Sequence, residues 1–222
     1  MKPLLLCLFV LSALALNAQN CESYYFLQNN KTVEMTIYGK KGEVSGKQVY
    51  KVSDVKTSAG ITTASINSEM FDKKNKSIAT SSSAIKCKGG MLMVDMKMMM
   101  GPQQQQTTTK ASIEEGFLEY PNKIAIGDQL QDAVFNMDLE TSGIPQKIKL
   151  TMTERKVVAK ESVTTTAGTW ECYKISYKGK IVINTAGINM PMNTDGSEWY
   201  APGFGVVKTE TKNGGTAITS VK

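Results

Sequence analysis

The sequence has no histidine, and Arg155 is its single arginine among 26 basic residues. Each shortage removes a class of function. Without histidine there is no Ser-His-Asp or Cys-His nucleophile system and no imidazole ligand for zinc or copper. Arginine is the side chain that reads phosphates and base edges with two parallel hydrogen bonds. A formal charge of +6 carried almost wholly by scattered lysines therefore describes a solvated basic surface and not a nucleic-acid binder. No GxxxxGKS/T or GxGxxG phosphate loop is present, nor any EF-hand spacing of acidic residues, so no cofactor is implied. Aromatic residues make up only 7% of the chain, which is sparse for a sugar cleft. The carboxylates Asp95, Glu114, Glu115, Asp128, Asp132 and Glu161 leave a glycosidase-like pair as the one catalytic route still open. The chain is otherwise read as non-enzymatic, with no catalytic residue assigned.

Long apolar runs are also scarce. The exception is the start, "MKPLLLCLFVLSALALNAQ", with one lysine, an apolar run over 4–16 and then small and polar residues. That is the layout of a secretory leader over 1–18, cut after Ala18. The run falls short of the roughly 20 residues a membrane-spanning helix needs, and no later stretch reaches that length. Cys21 follows closely, but Ala18 and Asn20 stand where a bacterial lipobox wants an aliphatic and a small residue. The reading is an exported, periplasmic or secreted protein, not transmembrane, without a lipid anchor at Cys21. Loss of Cys7 with the leader leaves Cys21, Cys87 and Cys172 in an oxidising compartment. A Cys21–Cys87 disulfide would tie down an otherwise frayed N-terminus, leaving Cys172 as a buried thiol that packs like a small hydrophobe.

The remaining 19–222 read as one β-domain. Short stretches rich in β-branched and aromatic residues recur between Gly, Asn, Asp and Lys turn clusters. In "TVEMTIYG", Val33, Met35 and Ile37 share one face, while Thr32, Glu34 and Thr36 share the other. "GPQQQQTTTKAS" is the only low-complexity stretch and reads as a flexible loop over 101–112. "NKIAIGDQLQDAVF" is the only place that could hide a helical turn. The spacing predicts an all-β fold, a strongly curved antiparallel sheet or incomplete barrel. Several strands, "GKIVIN" and "MLMVDM" among them, are apolar on both faces and need cover on both sides: a second sheet, a helix or a ligand.

What is abundant is methionine, 13 in all, six of them in "MLMVDMKMMM" at 91–100. As one strand, this stretch puts Met91, Met93 and Met99 with Asp95 and Lys97, and Met96, Met98 and Met100 with Leu92 and Val94. Three readings stay open. The methionines pack a core, where an unbranched thioether fills irregular gaps. They line an apolar ligand pocket, with Met93, Met96, Met98, Trp170, Tyr173 and Trp199 as wall residues. Or Met98, Met99, Met100, Met190 and Met192 hold a soft ion such as Cu(I) or Ag(I), although a strand spreads alternate residues about 7 Å apart.

Five stretches carry a resemblance: "CESYYFLQNNKTVEMTIYGKKGEVSG", "KCKGGMLMVDMKM", "YPNKIAIGDQLQDA", "TTTAGTWECYKISY" and "EWYAPGFGVVKTE". In that order they resemble an exported β-rich family widespread in Bacteroidetes, the TapB or DUF3108-like proteins. The resemblance implies a curved antiparallel sheet similar to lipocalins and to the half-barrels of lipoprotein carriers. It brings no settled activity and no catalytic residues. The functional expectation is a non-enzymatic envelope protein that binds a lipid or other apolar or amphipathic molecule in the concave face of its sheet. The alternatives are the methionine-based soft-metal binder and a structural module that pairs with an envelope protein partner.

Overall fold

The computed structural model describes residues 21–99, 112–114, 116–141 and 144–222. The expected leader over 1–18, nearly all of the glutamine loop and Met100 lie outside the described residues. Fourteen strands form one antiparallel sheet: β1 (Thr32–Gly39), β2 (Val44–Ser58), β3 (Ile61–Asp72), β4 (Ser77–Lys88), β5 (Met91–Asp95), β6 (Ser112–Glu114), β7 (Phe117–Tyr120), β8 (Ala133–Thr141), β9 (Ile144–Thr165), β10 (Gly168–Thr185), β11 (Ile188–Asn193), β12 (Gly196–Ala201), β13 (Gly205–Thr211) and β14 (Gly214–Val221). Three short 3₁₀ turns, η1 (Cys21–Ser23), η2 (Tyr25–Leu27) and η3 (Met96–Met99), are the only helical pieces among the described residues. None is long and apolar enough to cross a membrane.

Tight turns make the meander. Gly89 and Gly90 both take positive φ (57° and 82°) between β4 and β5, a conformation open to glycine without a Cβ penalty. The spatial order is β6-β8-β9-β10-β12-β13-β14-β1-β2-β3-β4-β5-β7, with β11 attached to β10. The sheet curls until its ends meet, giving a nearly closed barrel. Its seam lies between β7 and β8, which share no backbone ladder. At Gly116 an added Cβ would lie 2.5 Å from the Val134 carbonyl oxygen, so the two edges approach closely there. Bulges help the curl. Asp54 in β2 and Glu154 in β9 adopt left-handed φ (52° and 51°) where the register shifts.

Alternation decides the core. Val33, Tyr50, Ile66, Ile85, Leu92, Leu118, Phe135, Ile175, Val207 and Ile218 point inward and are buried. One end of the barrel is plugged by the chain from Cys21 to Leu27. A disulfide joins Cys21 to Cys87, Tyr25 N–H donates to Gly203 O (3.1 Å), and Phe26 packs edge-on to Tyr50 and Phe204. The β9–β10 hairpin tip reaches β14 beside this plug, where Thr166 Oγ1 donates to Thr219 O (3.0 Å).

Two expectations are revised. The stretch 91–100 is not one strand. β5 stops at Asp95, whose Oδ1 accepts from Lys97 N–H (2.9 Å), a local bond that competes with continued extension. The chain then turns through η3 with Met96 buried and Met99 exposed. Between β7 and β8 there is no helical turn. Residues 124–130 run as turns beside β9, held by Leu130 N–H to Arg155 O (2.8 Å) and Val157 N–H to Asp128 O (2.9 Å).

Candidate functional site

The sheet lobe made of β8, β9, β10 and β11 carries two cross-strand apolar rows on its inward face. Register aligns Phe135 with Leu150, Leu150 with Ile181, and Ile181 with Met192. One pleat along, Met137, Ile148, Ile183 and Met190 form the second row. Cover fades along both. Phe135 is 0% exposed and Leu150 6%, Ile181 is half-buried, and Met192 is 46% exposed. In the second row Met137 and Ile148 are buried, Ile183 is half-buried and Met190 is 47% exposed. Ile188, opposite Thr185, is 69% exposed. Here the apolar lining of the barrel continues past the part that the protein itself covers. Isoleucine offers rigid branched surface and methionine an adaptable one, a combination suited to an apolar chain of variable shape.

A second cluster is built oppositely. The bulge at Glu154 turns Arg155 inward, where it is fully buried. Its Nη1 donates to the carbonyls of Glu119 (3.2 Å) and Gln131 (3.0 Å), one on each side of the seam. Its Nη2 meets Glu198 Oε1 at 3.2 Å, and the guanidinium lies 4.9 Å from the Tyr120 ring centre. Tyr120 donates to Glu198 Oε2 (2.9 Å) and stacks on Tyr200 at 4.7 Å. Tyr200 and Tyr24 hydroxyls lie 3.1 Å apart, and Tyr24 donates to Gly90 O (3.0 Å). Burial, reinforced by the Glu198 charge, pushes the Tyr120 phenol well above its usual range. Burial works against the Arg155 charge, but Tyr120 and Glu198 outweigh it and hold the guanidinium protonated. Only Arg155 Nε lacks a hydrogen bond within this cluster. Neither charge reaches solvent, and the cluster straps the seam.

The sequence-derived wall residues are not gathered on one surface. Met96 lies in the core, and Met98 packs partly buried against it. Met93 sits opposite Lys86 and Glu119, on the face away from Leu92. Trp170 leans on Phe204 at the plugged end (5.7 Å). Tyr173 pairs with Tyr200. Trp199 points outward, buried between the Lys174 and Lys208 ammoniums (4.8 and 4.4 Å) with its Nε1 donating to Glu161. Of the soft-metal candidates, Met98 and Met99 are on η3, while Met190 and Met192 are on β11. Three of the carboxylates have local partners, while Glu115 lies outside the described residues. Asp95 pairs with Lys97 (3.2 Å), Asp128 accepts from Ala125 N–H (2.8 Å) and Asp132 from Glu154 N–H (3.1 Å). Missed from the sequence were Ile181, Ile183 and Ile188 as rim residues and Arg155 as a strap. The signal for Arg155 was its rarity and its place in "TERKVV", where alternation breaks.

Two crystal structures share this fold. One is of a protein from Bacteroides fragilis assigned as exported with a YmcC-like fold, 19% identical, with a TM-score of 0.71 over 88% of this chain and 96% of that one. The other is of a protein from Parabacteroides distasonis assigned as a lipoprotein, 20% identical, with a TM-score of 0.73 over 89% of this chain and 98% of that one. No curated protein matches the sequence. Residues 28–222 match the DUF3108-like family; the match does not carry the TapB designation.

Proposed function

Because the chain belongs to the DUF3108-like family, whose matched region is the barrel itself, we propose that it is an exported, non-enzymatic cell-envelope protein that holds an apolar or amphipathic molecule against the inward face of β10 and β11. The observation that carries this reading is the fading cover along the rows ending at Met190 and Met192. Contiguous exposed apolar surface on a sheet face is costly to leave in water and marks interaction sites. The packed core argues for the rim, not the barrel centre, as the place of contact. Export is supported by the secretory layout of the leader and by the exported and lipoprotein assignments of the two structural neighbours. A sulfur committed to the Cys21–Cys87 disulfide is not available for a lipid thioether, which favours a protein free of its own anchor.

Titration with a fluorescent fatty acid tests the reading. Saturable binding by the mature protein is expected, with Met190→Lys/Met192→Lys abolishing it and leaving the circular dichroism spectrum unchanged. Equal binding by that variant would move the site elsewhere, and no binding by either protein would remove the apolar-ligand reading.

A further inference from the structure

The outward face of the β8–β11 lobe holds a groove of about 650 Å³, within the range of small-molecule sites, about 300–1,000 Å³. Its lining mixes Val182 and Ile148 with six polar or charged residues, whereas the rows of the inward face are apolar throughout. Cross-strand register builds one row from Asn189, Asn184, Lys147 and Asp138, and the next pleat adds Lys149 beside Asn136. Lys147 and Lys149 are two residues apart on β9, so their side chains leave one face from backbone positions about 7 Å apart. Neither is in an ion pair among the described residues, whereas Lys47, Lys97, Lys178 and Lys208 each hold a carboxylate. Asn184 and Asn189 are fixed to each other, Nδ2 of the first donating to Oδ1 of the second at 2.7 Å. Asn184 Oδ1 in turn accepts from Gly187 N–H (3.2 Å). The Asn189 amide N–H groups therefore remain directed donors.

We infer that this groove binds an acidic saccharide, either free or as a lipid headgroup. The chemistry selects the class. Two neighbouring ammoniums without an ion pair among the described residues call for a ligand that carries more than one anionic group. The Asn189 amide supplies donors and the Asp138 carboxylate acceptors, the two functions that vicinal hydroxyls require. Asp138 accepts from hydroxyls and repels a bare anion that has nothing to donate. Nucleic acid is disfavoured, because no arginine and no aromatic side chain lines the groove.

The test is calorimetric titration of the mature protein with trigalacturonate, dodecyl glucuronide, maltotriose and inorganic phosphate. Binding of trigalacturonate or dodecyl glucuronide, weakened about tenfold or more in Lys147→Gln/Lys149→Gln, is expected, with maltotriose and phosphate much weaker. Trigalacturonate binding assigns a free glycan, and dodecyl glucuronide binding alone assigns a lipid headgroup. The inference is overturned if neither acidic sugar binds, if the lysine variant binds as well as wild type, or if phosphate or maltotriose binds equally well. Dodecyl glucuronide is also titrated into Met190→Lys/Met192→Lys. Loss there but not in the lysine variant assigns the contact to the apolar rim and overturns the groove alone.

Discussion

The plugged end of the barrel and the β8–β11 lobe are made from the same alternating sequence pattern, yet they finish differently. At the plug, every large side chain has a partner. Phe26, Tyr50, Phe204 and Trp170 form a contiguous aromatic cluster, the disulfide pins the chain above it, and Arg155 bonds across the seam. In the lobe, the rows run out to Ile188, Met190 and Met192, which stay about half exposed or more. Burying apolar area is worth about 25 cal/mol per Å², so stability alone would favour covering that rim. The contrast teaches that one end of the molecule secures the fold while the other remains available for contact.

The contrast can be broken most strongly at the strap. Arg155→Ala should cost about 3–5 kcal/mol, because Glu198 is left buried and unpaired. Urea unfolding measures this, and Arg155→Met/Glu198→Leu should recover much of the loss. A cost below about 1 kcal/mol would mean that the seam does not depend on the pair. Next in size, Cys21→Ser/Cys87→Ser should lower stability by about 2–4 kcal/mol by freeing a long loop in the unfolded chain. An unchanged urea midpoint would show that the plug holds without its staple.

Alkaline pH probes the same end more gently. Burial, helped by Glu171 and Glu161, pushes the Cys172 thiol up to about 12, and burial also raises the Tyr50, Tyr177 and Tyr200 phenols. Below the ordinary thiol range both folded and unfolded chains keep these protons, and the native state loses nothing. As pH rises past about 8.5 for the thiol and about 10 for the phenols, the unfolded chain releases protons that the folded chain retains, so stability falls. The urea midpoint should therefore decline from pH 8 to pH 10.5, less steeply in Cys172→Ser. A flat profile would contradict the burial of these groups. The smallest effect on stability belongs to the open lobe. Ile188→Ser should stay within about 0.5 kcal/mol of wild type while weakening binding of an apolar probe, and a large loss of stability would mean that the rim is core after all.

Much of this division was legible in the sequence, though unevenly. Alternation in "TVEMTIYG" and glycine turns such as "KGG" identified strands and their connections, because strand phase is local. The end of β5 is not legible: Met96, Met98 and Met99 continue the apolar pattern, while the strand ends where the Asp95 side chain folds onto Lys97 N–H. Phase also says which residues share a face without saying which face looks inward. Trp199, a wall residue by sequence, is buried with its ring between the Lys174 and Lys208 ammoniums. "GKIVIN" was read as needing cover on both sides, and the structure divides its two faces. Val182 faces outward and lines the groove there, while Ile181 and Ile183 form the half-covered rim. Met190 and Met192 stood out for their sulfur, but their place at the end of two apolar rows depends on pairing with β10, a contact that composition does not encode.

The rim of β10 and β11 is proposed as a contact surface for an apolar or amphipathic molecule. Native mass spectrometry of the mature protein, purified gently from a bacterial envelope with its own lipids, tests it most directly. A discrete adduct of lipid mass is expected on wild type and absent from Met190→Lys/Met192→Lys. The bare chain mass in both would contradict it, and a copper-mass adduct on wild type alone would transfer those two methionines to soft-metal binding.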